Sequence, residues 1–193
     1  MKRLLLFIML LNAVVIYSQD ADSTFASRSI IFRNLRINLQ VNTEQTFSLA
    51  HSTGKNHYFK NNSIAAGLEW VVRYKNSMNY GIGFLYQFPS SINALEGKLG
   101  NLPIYTYIDF PLTNRESFPL QLSFRLGPSF LQTDGKIDKK GHGIYHAIGL
   151  TTEINRRIQV KLLYSTTYGE ITIGNSNYDV TNESMNFILS LRI

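Results

Sequence analysis

The chain contains four histidines, and their spacing is the first place where metal chemistry could arise. His142 and His146 lie four residues apart, which on a helix would place both on one face. On a strand the same spacing separates them by about 13 Å, beyond the reach of one ion. His51 and His57 lie in a polar stretch that has no cysteine and no dense cluster of carboxylates. The sequence therefore predicts no metal site and no cofactor.

Nucleophilic catalysis would require a serine, a histidine and a carboxylate that converge. The available candidates are Ser165, His146 and Glu153, but alternation along a strand puts His146 on the opposite face from the other two. No nucleophile-elbow pattern occurs, and Gly81 and Gly83 lie inside a strand pattern rather than in a phosphate-binding loop. We therefore predict no catalytic residue and a non-enzymatic protein. A small lipid-modifying barrel enzyme, with its site built from loops, is the alternative.

Charged residues recur on one face of the predicted strands, opposite a set of apolar stripes. They are Arg36, Glu69, Arg73, Asp109, Arg125, Glu153, Lys161 and Arg192. Most other residues on that face are small, as expected for the narrow interior of a barrel, whereas a solvent face would normally carry lysine and glutamate. Because buried charges must be paired, we predict a polar network in the lumen, with Glu69 and Arg125 at similar depth. A soluble barrel that binds an apolar ligand is a further alternative.

The elements that would position these residues are predicted from alternating apolar side chains. Eight runs alternate in this way, and about ten residues tilted at about 40° would cross ~25 Å, the height of an outer-membrane apolar band. The last run carries a large apolar side chain at every odd position, namely Met185, Phe187, Leu189, Leu191 and Ile193. We interpret it as the closing strand and insertion signal. The prediction is an all-β fold, an eight-stranded antiparallel up-and-down transmembrane β-barrel.

The connections alternate in length. The short ones lie at residues 75–77, 112–118 and 155–156, and the long polar ones at residues 42–62, 89–100, 133–142 and 169–183. Short turns at one end and long loops at the other are typical of the periplasmic and extracellular ends of a barrel. We expect the first and fourth long loops to carry surface interactions and loop lysines such as Lys60 to be solvated. Aromatic residues at strand ends predict interfacial girdles: Tyr74, Tyr80, Phe88, Phe110, Phe118, Tyr164 and Tyr168.

The N-terminus predicts export. Basic residues at Lys2 and Arg3 precede an apolar run at Leu4–Ile16, so we expect residues 1–18 to be a cleaved signal peptide and residues 19–193 to form one outer-membrane barrel domain. No later run approaches the roughly eighteen apolar residues of a spanning helix. Cleavage would lower the formal net charge from +6 to +4 without leaving a basic arm, so nucleic acid is not an expected partner. The expected location is the cell outer membrane.

Several short motifs occur in order along the chain. They are Leu102–Ile104, Arg125–Pro128, Gly149 followed by the turn at Asn155 and Arg156, and Tyr164 with Gly169. Together they resemble the outer-membrane beta-barrel domain family that includes PorT-like proteins, and more loosely the small OmpX and OmpA barrels. The resemblance spans residues 35–193 and implies an integral outer-membrane barrel without catalytic residues. It also implies contact with outer-membrane lipid and the barrel-assembly machinery, and a surface or secretion-machinery protein as a further partner.

Overall fold

The computed structural model describes residues 34–51, 54–73, 78–92, 97–113, 119–135, 140–155, 157–173 and 176–193. The predicted signal peptide, Tyr74 and Phe118 lie outside these ranges. Within them the chain forms β1 (Leu35–His51), β2 (Gly54–Lys60), β3 (Ser63–Arg73), β4 (Asn79–Ser91), β5 (Gly97–Pro111), β6 (Leu120–Gly135), β7 (Lys140–Glu153), β8 (Ile158–Ile173) and β9 (Ser176–Arg192). None of the described residues belongs to a helix long and apolar enough to cross a membrane.

The strands close into a ring of eight. Each strand from β3 to β8 pairs antiparallel with the next one in the chain, and β1 pairs with both β3 and β9, which closes the ring. β3 pairs with the first half of β1, from Leu35 to Asn42, and β2 pairs with its second half, from Gln45 to His51. Because β2 continues the line of β3 beside β1, the two segments occupy one position in the wall. The predicted eight-stranded antiparallel barrel is confirmed.

A bulge in β1 separates its two halves. The pairing of β1 with β9 shifts register between Thr43 and Thr46, and Glu44 has a φ of 49°, in the left-handed region. A bulge inserts an extra residue and restarts the alternation of side chains. Asn42 faces the lumen below the bulge, and Gln45 and Phe47 face it above. We call the end of the barrel where β1 begins the proximal end and the opposite end the distal end.

The stretches predicted as long loops are mostly strand, so that expectation was wrong. β1 continues to His51, and β2 begins only three residues later; β9 begins at Ser176. The distal part of the wall carries exposed polar side chains on its outside, for example Lys98 and Glu170. In the distal part of the strands, the alternation of apolar and polar side chains therefore ends, although the backbone hydrogen bonds between the strands continue.

The two faces of the wall differ in chemistry. The predicted apolar stripes point outward, and Ile82, Leu126 and Ile144 are 59%, 59% and 60% exposed. Phe187 on β9 and Ile193 just after it are exposed, whereas Met185, Leu189 and Leu191 are half-buried. These residues alternate with buried inward residues such as Ser190. The wall thus presents an apolar belt outside and a filled interior, and the role of the last strand as an insertion signal stays a prediction.

Candidate functional site

A carboxylate held between two cations occupies the centre of the lumen. Glu69 Oε1 lies 2.7 Å from Arg125 Nη2, and Glu69 Oε2 lies 2.5 Å from Lys161 Nζ; all three side chains are fully buried. Tyr105 donates a hydrogen bond from its hydroxyl to Glu69 Oε1 at 3.0 Å. Buried ions are stable only when they are paired and hydrogen-bonded. Lys161 donates a hydrogen bond to the carboxylate, and Arg125 pairs with it and donates from Nη1 to the Tyr105 hydroxyl at 3.2 Å. The structure thus brings Glu69 and Arg125 together and adds Lys161 from the far side of the barrel.

Two aromatic rings pack around this centre. Arg125 Cζ lies 4.9 Å from the centre of the Tyr105 ring, and Lys161 Nζ lies 5.5 Å from that of Tyr107. A cation over an aromatic face is attracted by the quadrupole of the ring. The rings therefore help to hold both cations where water is excluded.

Two glycines on β4 make room for these rings. Gly83 is in register with Tyr105, and Gly81 is in register with Tyr107. A Cβ on Gly83 would lie 2.7 Å from the Tyr105 ring and 2.9 Å from Glu69 Cγ, and one on Gly81 would lie 2.9 Å from the Tyr107 ring. Sequence analysis placed these glycines inside a strand pattern and gave them no partner. Their alternation, matched to that of two tyrosines on the next strand, is the signal that could have revealed the contact.

A second ion pair lies toward the proximal end. Arg36 Nη2 lies 3.2 Å from Glu153 Oε1, and Arg36 Nη1 donates a hydrogen bond to Gln159 Oε1 at 2.9 Å. The side chain of Glu153 is 23% exposed, so water reaches this pair more readily than the central one. Arg192 closes β9 in register with Arg36.

Asp109, another predicted member of the network, lies apart from these two pairs. Asp109 is fully buried and is in register with Ser123 on β6. Its carboxylate forms no ion pair with any residue that the structure describes. Arg73 ends β3, and its side chain lies outside the described part.

Neutral polar side chains form the next layer toward the distal end. Gln87 Nε2 donates to Gln45 Oε1 at 2.8 Å and to Ser63 Oγ at 2.7 Å, and Asn42 Nδ2 donates to Ser63 Oγ at 2.8 Å. Across the lumen, Asn101 Nδ2 donates to Thr167 Oγ1 at 2.9 Å. Amide and hydroxyl groups that satisfy one another can fill a narrow interior without any charge.

An apolar layer, which sequence analysis missed, closes the lumen distally. Its members are buried and in mutual contact: Phe47, Leu49, Ile92, Leu99, Leu131, Ile171 and Val180. Phe47 and Leu49 lie in a stretch interpreted as loop because too few alternating residues surround them.

We expected Lys60 to be solvated, and that expectation was wrong. Lys60 is paired with Ile92 at the boundary of the apolar layer. Its side chain is 4% exposed, and its ammonium has no hydrogen-bond partner among the described residues. Burial lowers the pKa of Lys60 to about 7, because the charged form loses its hydration.

The candidate catalytic residues stay apart. Ser165 faces the lumen, where its hydroxyl lies 3.0 Å from that of Ser184 and accepts a hydrogen bond from Asn186. Glu153 pairs with Arg36 at the proximal end, and His146 stacks against Tyr168 on the outer wall. In the described ranges no group of three or more acidic or histidine side chains could hold a metal ion. The inward side chains thus fill the lumen and stabilise the barrel.

Known proteins resemble this chain in structure but not in sequence. No protein-family model matches the chain, and no curated protein matches it in sequence, so the resemblance to PorT-like proteins stays a prediction. Among solved structures, Neisserial surface protein A is similar at 13% identity and a TM-score of 0.53, over 83% of this chain and 97% of that one. The attachment invasion locus protein Ail of Yersinia pestis aligns at 8% identity and a TM-score of 0.45, over 81% of this chain and 98% of its own. OprG, an outer membrane protein of Pseudomonas aeruginosa, aligns at 12% identity and a TM-score of 0.43, over 82% and 95%.

The first of these similarities shows the fold, a small closed barrel. The exposed outer wall of this chain is an apolar belt, which water would not solvate and hydrocarbon would. The chain is therefore an integral barrel of the outer membrane.

Proposed function

We propose that the protein is a non-conducting, non-enzymatic outer-membrane barrel that presents a surface for another protein on its distal wall, as an envelope component or an accessory of secretion. The observation that carries the proposal is the filled lumen. Ionic, neutral and apolar layers follow one another along the axis, and buried apolar side chains pack together in the distal part of the described lumen. An eight-stranded barrel is just wide enough for side chains to fill it.

The distal wall supports the interaction part of the proposal. Phe59 on β2 is 72% exposed and lies beyond the apolar belt, beside exposed Lys55 and His57. Aromatic side chains among polar neighbours are typical anchors of protein interfaces. Glu170 and Asp179 face each other across β8 and β9, and both are exposed. Like charges opposite one another destabilise a sheet, so a partner that offers a basic group would relieve the pair.

Reconstitution tests the closed lumen. Purified protein in planar bilayers should give no steady conductance, because the apolar layer blocks ions. Sustained large conductance would refute the proposal. A lipid-soluble photoprobe should label Leu189 and Leu191 but spare Ser190, and the reverse pattern would mean that the faces are assigned the wrong way round.

Two further experiments address the alternatives. Purified protein incubated with glycolipid in detergent should leave the mass of the lipid unchanged, whereas a new product would favour a lipid-modifying enzyme. After carbonate washing the protein should remain with membranes, whereas release would favour a soluble barrel. A third experiment tests the interaction. A photo-crosslinker at the exposed Lys55 on intact cells should capture a protein partner, and the Phe59→Ser substitution in the same chain should abolish that capture.

A further inference from the structure

One side of β2 has no neighbouring strand in the described part of the chain. β2 pairs with β1 along its whole length, from Gly54 to Lys60. On the other side β4 ends at Ser91, and one isolated bridge joins Lys60 to Ile92. The stretch from Gly54 to Tyr58 therefore runs past the end of β4. We call the side of this stretch that faces away from β1 the open edge.

The open edge carries backbone groups that point away from β1. The N–H of Asn61 donates a hydrogen bond to the carbonyl of Ser91 at 3.0 Å, so the backbone of Asn61 faces β4. Backbone groups alternate between the two sides of a strand, and those of Lys55 and His57 therefore face the same side as that of Asn61. No described residue pairs with them there. An exposed row of donors and acceptors of this kind is a template for another extended chain.

Side-chain contacts hold β2 in its extended form. Tyr58 packs against the apolar layer of the lumen, and the centre of its ring lies 6.3 Å from that of Phe47. On the outer face, His57 Nδ1 and Ser48 Oγ are 2.8 Å apart and share a hydrogen bond. A segment that is already fixed in its bound conformation loses little conformational entropy when a partner binds. The open edge is therefore preorganised for pairing.

The side chains beside the open edge determine which partner fits. Lys55 is exposed, and Ala50 and then Asp179 follow it across the wall. Asp179 lies two strands away, at about 10 Å, whereas a residue on an added strand would lie about 5 Å from Lys55. Opposite charges in such a cross-strand pair are favourable. Phe59 is 72% exposed and lies diagonal to the position that would oppose His57, within reach of an apolar side chain there.

We propose that the open edge binds an extended acidic segment of a partner protein as an added β-strand. An acidic side chain of the segment lies opposite Lys55, and an apolar one lies opposite His57 and against Phe59. This site rests on the proposed function, because it specifies how the distal wall holds another protein. Hydrogen bonds between the two main chains supply affinity, and the alternate side chains supply selectivity.

Amide hydrogen exchange, measured by NMR on the full chain in detergent micelles, reports on the open edge directly. The probe is a short threonine peptide with a valine and, two residues later, a glutamate, the order that suits antiparallel addition; threonine favours extended chain. Without peptide, the amides of Lys55 and His57 should exchange faster than those of Asn56 and Tyr58, which face β1. When about nine-tenths of the protein is bound, exchange at Lys55 and His57 should slow about tenfold, because it then proceeds only from the free protein.

Matched variants distinguish backbone pairing from side-chain contact. His57→Pro removes the N–H at the open edge without removing a hydrogen bond to β1, and proline is tolerated at such edge positions. It should weaken peptide binding about tenfold, whereas His57→Ala, which keeps the N–H, should change binding by less than about twofold. The wild type should prefer the glutamate peptide about fivefold over a matched lysine peptide, and Lys55→Glu should reverse this preference. Circular dichroism would verify that each variant keeps the barrel.

Failure of the added strand can be told from failure of the proposed function. Equal loss of binding in His57→Pro and His57→Ala, or no slowing of exchange at saturating peptide, would overturn the added strand. Slow exchange at Lys55 and His57 in the protein alone would also overturn it, because another part of the chain or a second copy would already cover the edge. In cells, capture by the crosslinker that survives His57→Pro but is lost in Phe59→Ser would leave an interaction surface without an added strand. Slowing by the peptide without any capture in cells would support the edge as a peptide site and refute the proposed function.

Discussion

Replacing the buried Lys60 by methionine should stabilise the barrel, and the effect should depend on pH. Burial lowers the pKa of Lys60 from an ordinary value of 10.5 to about 7. The unfolded chain then holds a proton between pH 7 and pH 10.5 that the folded chain lacks, so the free energy of unfolding of the wild type rises with pH across this window. Below pH 7 both states are protonated, and the folded state bears the whole cost of a buried charge.

The magnitude follows from the same shift. A fall in pKa from 10.5 to about 7 corresponds to about 5 kcal/mol, since a change of one in pKa is worth about 1.4 kcal/mol. Lys60→Met should therefore raise the free energy of unfolding by several kcal/mol at pH 6, and the gain should shrink toward zero near pH 10.5. Methionine keeps a similar length and adapts to irregular apolar space.

Urea unfolding in detergent at a series of pH values, followed by circular dichroism, measures this effect. Lys55→Met is the matched control, because Lys55 is exposed on the same strand and should show no such dependence. The reasoning would be refuted if Lys60→Met and wild type kept a constant difference between pH 6 and pH 10, or if the variant were the less stable protein at pH 6.

Three further substitutions test the lumen in the same unfolding assay. Glu69→Gln should lose about 3–5 kcal/mol, because it leaves two buried cations without their carboxylate; wild-type stability would contradict the ionic centre. Gly83→Ala should lose about 1–3 kcal/mol, because its methyl group would lie 2.7 Å from the Tyr105 ring, and an unchanged midpoint would mean that the ring moves freely. Arg36→Ala should lower the free energy of unfolding by only about 1 kcal/mol, since Glu153 is 23% exposed. A loss as large as that of Glu69→Gln would show that the contribution of these ion pairs to stability does not depend on how deeply they are buried.

The part of the fold that touches hydrocarbon could be predicted from sequence. Along β9, Phe187 must face an apolar phase and Ser190 must not, so alternation alone assigns their faces. The same argument placed Glu69 and Arg125 on the inner face. It could not find Lys161 as the second partner of Glu69, because the two residues are 92 positions apart and meet only across the closed ring.

The distal part of the barrel could not be predicted for a different reason. Above the belt both faces of a strand are free to vary, since water replaces hydrocarbon outside. The inward Phe47 and Leu49 are separated from the lower half of β1 by the bulge at Glu44, which shifts the alternation by one residue. A pattern of strict period two is broken there, and Lys60 was accordingly interpreted as solvated.

The order of the layers also argues that the ionic centre stabilises the barrel and does not conduct. A path for ions or protons would need polar groups along its whole length, but the ion pairs of the lumen lie in its proximal and central parts, and the side chains that pack together at the distal closure are apolar. Within the described residues, Lys60 is the one cation found buried at that closure, and its lowered pKa reflects the lack of a counter-ion there. Glu69→Gln should consequently change the free energy of unfolding while leaving conductance at zero, and a variant that altered conductance without altering stability would reverse this assignment.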